Sequence, residues 1–261
     1  VERAKDDPRI PFAVFKVTGI APLGTLERLS GKKKLDAKSQ TKCEHLQSRV
    51  NEICEFAYKV GQPIFIDAED SWIQDAIDRL ATDMMEKYNL EGPIVYNTLQ
   101  LYRTDRLQHL KDARREAKAN GYVYAVKLVR GAYMEKERER AAEKGYNAAV
   151  EYCLEHIDDV SFVAGTHNEE TPEYLVRRMD ELGLANDHPR VHFSQLYGMG
   201  DNLSYVLGKH GYNVSKYVPY GPVRDVVPYL VRRAEENSSA AGHISRELEM
   251  LGREKKRRGL S

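Results

Sequence analysis

Short apolar segments alternate with longer amphipathic segments along nearly the whole chain, and no other feature constrains the fold as strongly. Segments of β-branched and aromatic residues recur at spacings of roughly 20 to 50 residues, which is typical of strands separated by helices. Seven strands are predicted in this way: Phe12–Val17, Pro63–Asp67, Pro93–Leu99, Tyr122–Val129, Val160–Ala164, Arg190–Ser194 and Val214–Val218.

Between these strands, apolar residues recur at helical spacing, for example from Leu46 to Ala57 and from Trp72 to Met84. Thr171 predicts the N-cap of a helix that ends at Gly183, because proline follows it at the first helical position. A last helix is predicted from Asp225 to Asn237. Strands that alternate with helices imply a parallel sheet with helical cover.

Seven such units predict a TIM-type (βα)8 barrel whose first βα unit is missing from this chain, because a closed barrel needs eight strands. An open doubly wound sheet is the alternative, although no G-x-G-x-x-G follows a predicted strand. The N-terminus carries no targeting signal, and its abrupt start indicates a fragment or a processed chain. With 261 residues, we expect one domain over residues 1–261, with a C-terminal helix and basic tail over residues 241–261.

Composition and charge bear on partners and on compartment. The 40 basic and 40 acidic residues balance, which gives no reason to expect a nucleic acid as partner. No apolar run approaches the ~20 residues that span a bilayer, so membrane contact would be peripheral. Cys43, Cys54 and Cys153 form no CxxC pair, which favours a reduced compartment. The Lys/Arg cluster in Glu247–Arg258 fits a solvated helix end better than an anionic membrane surface.

Charged residues lie at the carboxyl ends of several predicted strands, where the active site of such a barrel forms. Lys16 lies in the first apolar segment, where a lysine must either reach solvent or meet a counter-charge. Asp67 and Glu69 follow the second strand, and a strand period of two points both carboxylates the same way. They fit a metal site, an acid and base pair, or pairing with basic residues, and the nearby lysines and arginines favour pairing.

Two further strand ends offer groups for an anionic ligand. Lys127, Arg130 and Gly131 form a basic strand end at which glycine allows close backbone approach, and a basic surface is the alternative. The segment Thr166–Asn168 offers hydroxyl, imidazole and amide donors suited to a phosphate or a ribose. A locally capped turn is the alternative for that segment.

Arg232 and Arg233 are adjacent on the last predicted helix, so their side chains point about 100° apart and can converge on one carboxylate. Guanidinium groups suit this geometry and ammonium groups do not. Glu236 lies four residues after Arg232 and three after Arg233, where it can orient either one. Taken alone, such an arginine pair is more often a solvated helix face.

Five motifs occur in an order that resembles the proline dehydrogenase family, and the similarity runs over nearly the whole chain. It looks closer to the stand-alone mitochondrial enzymes of eukaryotes than to the bacterial bifunctional protein. The motifs are IDAED at Ile66–Asp70, KLVRGAY at Lys127–Tyr133, THN at Thr166–Asn168, GMG at Gly198–Gly200, and YVPYGP with YLVRRAEENSS within Tyr217–Ser239.

The resemblance implies a distorted (βα)8 barrel that binds FAD and oxidises L-proline to Δ1-pyrroline-5-carboxylate by hydride transfer to the flavin N5. It assigns the substrate carboxylate to Arg232 and Arg233, with Glu236 and Leu196 also at substrate-binding positions. Lys127 matches the basic residue beside N5. The other implied positions are Lys16, Asp67, Tyr133, Tyr217 and Tyr229 for catalysis, and Gln100, Arg130, Gly131, Thr166, His167 and Asn168 for the cofactor. Lys16 is expected to neutralise buried carboxylates.

By the same resemblance, electrons pass to ubiquinone at the matrix side of the mitochondrial inner membrane, and the state of oligomerisation stays open. In the related hydroxyproline dehydrogenases, the resemblance places a serine at the position of Tyr217. A tyrosine there would crowd the 4-hydroxyl group of hydroxyproline, which favours proline as the substrate. Hydroxyproline dehydrogenase is the main alternative. A Schiff-base aldolase that uses Lys16 or Lys127 and a non-catalytic barrel scaffold are the others.

Overall fold

The structure is a computed structural model that describes residues 1–31, 34, 36–131, 139–239 and 252–259. In residues 139–144, 225, 232, 233 and 235–239 it describes the backbone only. Tyr133 and, within the predicted C-terminal helix and tail, residues 241–251, 260 and 261 lie outside the described residues.

All seven predicted strands are present, and helices follow them as the alternation predicts. The strands are β1 (Ala13–Phe15), β2 (Ile64–Ile66), β3 (Val95–Gln100), β4 (Tyr124–Val129), β5 (Val160–Gly165), β6 (Val191–Leu196) and β7 (Val214–Tyr217). The helices are α1 (Leu23–Leu29), α2 (Ala37–Lys59), α3 (Ser71–Tyr88), α4 (Arg106–Asn120), α5 (Glu139–Glu155), α6 (Glu170–Glu181), α7 (Asp201–Lys209) and α8 (Val223–Ser239). Residues 252–257 are also helical.

The strands form one sheet in which each lies beside the next in sequence, in the order β1 to β7. The pairs from β1–β2 to β5–β6 are parallel, with Phe15 opposite Ile66 and Val129 opposite Gly165. The carboxyl ends of β1 to β6 therefore lie along one edge of the sheet, where such folds place their active sites. The predicted α/β class with a parallel, helix-covered sheet is confirmed.

Two compact units make up the chain. The first comprises Val1–Gln195 and Gly200–Ser215, and the second comprises Leu196–Met199 and Lys216–Ser261. The described part of the second unit holds the ends of β6 and β7 together with α8. This grouping does not test the predicted single domain, which stays a prediction.

The sheet of the first unit is buried and curled. Every residue of β3 is buried, as is typical of a parallel sheet that helices cover. The ring of Phe12, just before β1, stacks on Phe65 of β2 at 4.4 Å and meets His192 of β6 edge-on at 5.0 Å. A contact between the two ends of a six-strand series requires that the sheet bend around its own interior, as a barrel does.

Asn89, the residue that caps α3, joins the amino ends of two strands. Its Nδ2 donates to the carbonyl oxygens of Val95 at 2.8 Å and Val123 at 3.1 Å. Its Oδ1 accepts from the backbone amides of Ile94 at 3.0 Å and Val95 at 2.8 Å. The side chain is fully buried, so one amide satisfies four backbone groups that no ladder partner reaches.

Helix ends agree with the sequence in part. Gly121 ends α4 with a φ of 77°, a left-handed conformation that favours glycine at the end of a helix. The N-cap predicted at Thr171 is wrong, because α6 begins at Glu170. Asn168 accepts from the Thr171 amide at 3.2 Å and takes over the capping role, which leaves the Thr171 hydroxyl for other partners. None of the described helices is long and apolar enough to cross a membrane.

Candidate active site

A buried ion pair lies at the carboxyl edge of the sheet. Asp67 follows β2 directly, and Lys127 is the fourth residue of β4. The Lys127 ammonium group donates to the Asp67 carboxylate, and both side chains are buried. The ammonium nitrogen also lies 4.8 Å from the ring centroid of Phe65, where the π face of the ring favours the positive charge. Charges at this depth are tolerated because they are paired.

Asp67 and Glu69 do not point to one site, which corrects the prediction from strand period. The reason is that β2 ends at Ile66, so the period of two does not extend to either residue. Glu69 accepts from the Thr18 backbone amide at 2.9 Å and from its hydroxyl. Its carboxylate therefore holds the turn after β1, while Asp67 meets Lys127.

Lys16 lies directly after β1 and is exposed. It precedes the short 3-10 turn Val17–Gly19 and forms no ion pair within the described residues. The nearby buried carboxylate of Asp67 pairs with Lys127. The expectation that Lys16 neutralises buried carboxylates stays a prediction.

Arg130 connects the ends of two strands and two helices. Its Nε donates to the Thr166 hydroxyl at 3.2 Å and its Nη2 to the Thr171 hydroxyl at 3.0 Å. The guanidinium carbon lies 5.1 Å from the ring centroid of Tyr146. Burial raises the pKa of Tyr146, whose neutral hydroxyl donates to the Leu128 carbonyl at 2.9 Å. The guanidinium plane is thus held in one orientation.

Gly131 has a φ of 106°, and a Cβ added there would lie 2.2 Å from Cδ1 of Tyr102. Both the backbone conformation and the contact exclude a larger residue. Glycine is therefore required here by the ring of Tyr102, and the predicted close approach of an anionic ligand to this backbone stays a prediction.

The segment Thr166–Asn168 combines capping contacts with a place at the strand edge. The Thr166 hydroxyl accepts from the Asn168 amide at 3.1 Å, and the Thr166 carbonyl accepts from Gln195 Nε2 at 3.3 Å. Gly200 packs so closely on His167 that a Cβ would lie 3.3 Å from that of the histidine. Local capping is therefore present here, and it also fixes the side chains that were predicted to contact a cofactor.

Gln100 ends β3 and is buried, and its Oε1 has no hydrogen-bond partner among the described residues. A buried carbonyl oxygen without a donor is costly, so such an atom indicates a ligand group that donates to it. Gln100, Lys127, Arg130 and the segment Thr166–Asn168 all belong to the first unit and to the carboxyl ends of β3, β4 and β5.

The second unit carries the other predicted residues. Leu196 is the last residue of β6, and the amide of Tyr197 donates to the Tyr217 carbonyl at 3.0 Å. The rings of Tyr217 and Tyr229 lie 6.3 Å apart at an interplanar angle of 30°. These two aromatic side chains, which the motifs single out, therefore lie together between β7 and α8.

The arginine pair lies on α8, which covers the predicted helix Asp225–Asn237. The backbone of Arg232, Arg233 and Glu236 is helical, and their side chains are outside the described residues, as is all of Tyr133. Their substrate-binding and catalytic roles stay predictions.

The sequence reasoning missed a set of buried polar residues beside the Asp67 loop. Gln74 and Asp78 on α3, Asn97 on β3 and Arg106 on α4 are all buried. The available signal was the i, i+4 spacing of Gln74 and Asp78 inside the apolar stripe Trp72–Met84.

Comparison with known proteins gives one consistent result. A family model described as proline dehydrogenase matches residues 16–246. Mitochondrial proline dehydrogenase 1 of Homo sapiens is 37% identical over 270 residues, which cover 97% of this chain and 45% of the human protein. Hydroxyproline dehydrogenase of Xenopus laevis is 36% identical over 242 residues, which cover 84% of this chain and 52% of that protein. The chain thus spans about half the length of these relatives.

A solved structure is similar over most of the chain. Proline utilization A from Bdellovibrio bacteriovorus, inactivated by N-propargylglycine, superposes with a TM-score of 0.76 at 20% identity. The match covers 87% of this chain and 24% of that protein. At this level of identity the likeness concerns the fold.

Proposed function

The chain belongs to the proline dehydrogenase family, and on that premise we propose that the protein oxidises L-proline to Δ1-pyrroline-5-carboxylate with FAD as its cofactor. The observation that carries the proposal is the buried pair of Asp67 and Lys127 at the carboxyl edge of the sheet. A preorganised ammonium group in a buried site stabilises negative charge that develops on a neighbouring ring. That is the charge an oxidised flavin gains when it accepts two electrons.

The residues at the ends of β3 to β5 fit such a cofactor. The unpartnered Oε1 of Gln100 can accept from the N–H group of a flavin ring. Arg130 has guanidinium nitrogens beyond those bonded to its two threonines, and guanidinium groups suit phosphate oxygens. We assign Gly131, Thr166, His167 and Asn168 to the same cofactor. When bound, FAD supplies the two-electron acceptor for the hydride that leaves the proline ring.

The substrate roles fall to α8 and β7. Removal of a hydride from a ring carbon depends on orientation more than on a strong nucleophile. Arg232 and Arg233 bind the carboxylate and so orient the ring, and Glu236 holds an arginine in place. Tyr217 and Tyr229, whose rings lie 6.3 Å apart, pack against the ring and exclude water. This part of the proposal rests on the motifs and on the helical backbone of α8.

The function can be tested on the purified full-length protein. We expect a yellow preparation with the absorbance of oxidised flavin, which L-proline bleaches when oxygen is excluded. In Lys127→Met, the rate of bleaching should fall by about a hundredfold or more, as expected for loss of an electrostatic group at the reacting ring. A colourless protein that borohydride inactivates only with a carbonyl substrate would instead support a Schiff-base aldolase.

Oxidation of hydroxyproline is the second candidate, because a hydroxyproline dehydrogenase is among the relatives. We favour proline because Tyr217, half-buried beside Tyr229, would crowd a 4-hydroxyl group. The ratio of kcat/KM for the two amino acids decides the question. We expect proline to be preferred, and Tyr217→Ser to raise the relative use of hydroxyproline. Equal kcat/KM values in the unchanged protein would contradict the proline assignment.

The electron acceptor and the location follow from the same premise. We assign a quinone as the acceptor and the matrix side of the mitochondrial inner membrane as the site, with peripheral membrane association and a homo-oligomer as possible arrangements. The support is that the human relative is a mitochondrial protein by name. Reduction of a soluble ubiquinone analogue by the proline-reduced protein tests the acceptor, and failure of that reaction while a dye is reduced would contradict it.

A further inference from the structure

A cluster of buried polar side chains reaches from α4 through α3 to the loop that carries Asp67. We call Gln74, Asp78, Asn97 and Arg106 the α3 polar cluster. Each of the four is at most 5% exposed. A buried ion pair such as that of Asp78 and Arg106 contributes little more stability than apolar packing would. The ion pair lies beside the loop of the proposed active site, so we expect it to have a role other than stability. Buried ion pairs of this kind can select one conformation of the residues around them.

The contacts within the cluster fix the orientation of the Gln74 amide. Asp78 Oδ1 accepts from Gln74 Nε2 at 2.8 Å and from Asn97 Nδ2 at 3.0 Å. Asp78 Oδ2 accepts from Arg106 Nη1 at 2.7 Å. An ionised carboxylate only accepts, so the nitrogen of the Gln74 amide must face Asp78. Its oxygen is then directed away from the cluster, toward the loop after β2.

That oxygen holds the loop. Gln74 Oε1 accepts from the backbone amide of Glu69 at 2.9 Å. Two residues earlier, the amide of Asp67 donates to the Phe15 carbonyl at 3.0 Å. The loop is therefore held at Asp67 by β1 and at Glu69 by Gln74, and the side chain of Asp67 faces Lys127.

We propose that Gln74, oriented by Asp78, is a positioning residue that aligns Asp67 and through it the Lys127 ammonium group. The inference rests on the proposed function, in which that ammonium group stabilises charge on the bound flavin. Gln74 touches neither substrate nor cofactor in this account. Its contribution is to hold one backbone amide, and a misplacement of ~1 Å at a reacting centre is enough to lower a rate about a hundredfold.

Hydrogen exchange of the Glu69 amide tests the contact without any ligand. Gln74→Met keeps the length of the side chain and removes the amide, so exchange at Glu69 should become about three- to tenfold faster, as expected for the loss of one hydrogen bond. Gln62→Met is the matched control. Gln62 is a buried glutamine just before the same strand, and its amide donates to the Ile10 carbonyl at 3.2 Å. It should leave exchange at Glu69 unchanged.

Proline turnover by the full-length holoenzyme tests the functional consequence. In Gln74→Met we expect kcat to fall about tenfold while KM changes less than about twofold, because binding of the carboxylate is not affected. Gln62→Met should retain both constants. Exchange at Glu69 that stays unchanged in Gln74→Met, or faster exchange with an unchanged kcat, would overturn the proposal.

A charge exchange keeps the test decisive if Gln74→Met fails to fold. Gln74→Glu places two carboxylates together and should accelerate exchange further. In the double variant Gln74→Glu/Asp78→Asn, the amide and the carboxylate trade places, so protection of Glu69 and kcat should both recover in part. No recovery would count against the proposal. An unchanged protein that neither binds flavin nor turns over proline would refute the proposed function, while the exchange data would still report on the loop contact.

Discussion

Replacement of Asp67 by asparagine should destabilise the protein far more than disruption of an exposed ion pair. The side chains of Lys127 and Asp67 are 7% and 10% exposed, so water does not replace the lost carboxylate. The variant therefore leaves an ammonium group buried without its counter-charge. The ring of Phe65, whose centroid lies 4.8 Å from the nitrogen, contacts the ammonium group in both proteins and does not change this difference.

The size of the effect follows from these contacts. Removal of one partner from a buried ion pair costs about 3–5 kcal/mol. The hydrogen bond that remains to the asparagine oxygen recovers about 1 kcal/mol. The net loss is then ~2–4 kcal/mol, which lowers the thermal midpoint of a chain of this size by roughly 5–15 °C.

Thermal and urea unfolding of the apoprotein, followed by circular dichroism, measure this loss. Glu55→Gln is the control, since it breaks the pair of Glu55 and Lys59, whose side chains are 41% and 63% exposed. It should cost less than about 0.5 kcal/mol. Asp67→Asn/Lys127→Met removes both charges and should be more stable than the two single losses predict by addition. Strict additivity, or a loss no larger than that of the control, would refute the reasoning.

Other consequences concern pH, backbone and thiols. Burial lowers the pKa of His192 to about 4. The unfolded chain then binds a proton that the folded chain does not, so stability should fall from about pH 6.5 toward pH 4, and His192→Phe should flatten that fall in thermal melts. Gly131→Ala should lower the melting temperature. In the double variant Gly131→Ala/Tyr102→Ala the clash with the ring is gone, but only part of the lost melting temperature should return, because the φ of 106° stays unfavourable for alanine. All three cysteines are buried, and burial raises the pKa of Cys54 to about 12. A thiol reagent should therefore label none of them until urea is added, and rapid labelling of the native protein would contradict their burial.

The order of the strands could be predicted from the sequence because of how parallel sheets are buried. With helices on the outside and packed side chains inside, strands such as β2 and β5 are buried on both faces and stand out in the sequence as largely apolar runs. Their connections by helices then imply that they are parallel. Charged residues at their carboxyl ends, such as Lys127, were recognisable for the same reason.

The directions of individual side chains could not be predicted in the same way. Asp67 and Glu69 are two residues apart, which would place their side chains on the same face of a strand. However, β2 ends before either residue, and each carboxylate takes a different partner. Gln74 and Asp78 are polar residues on a helix, which normally indicates a solvated face. Their burial depends on Arg106, which lies 28 residues after Asp78 in the sequence and meets it only in the folded chain.

Asn89 lies at the end of the sheet opposite to the one that we assign to ligand binding. The residues that we assign to ligands lie at the carboxyl ends of the strands, while this one side chain holds the amino ends of β3 and β4. New specificities can therefore arise at one rim without loosening the other. Deamidation of Asn89 would turn its two donors into acceptors and release two carbonyl groups at once.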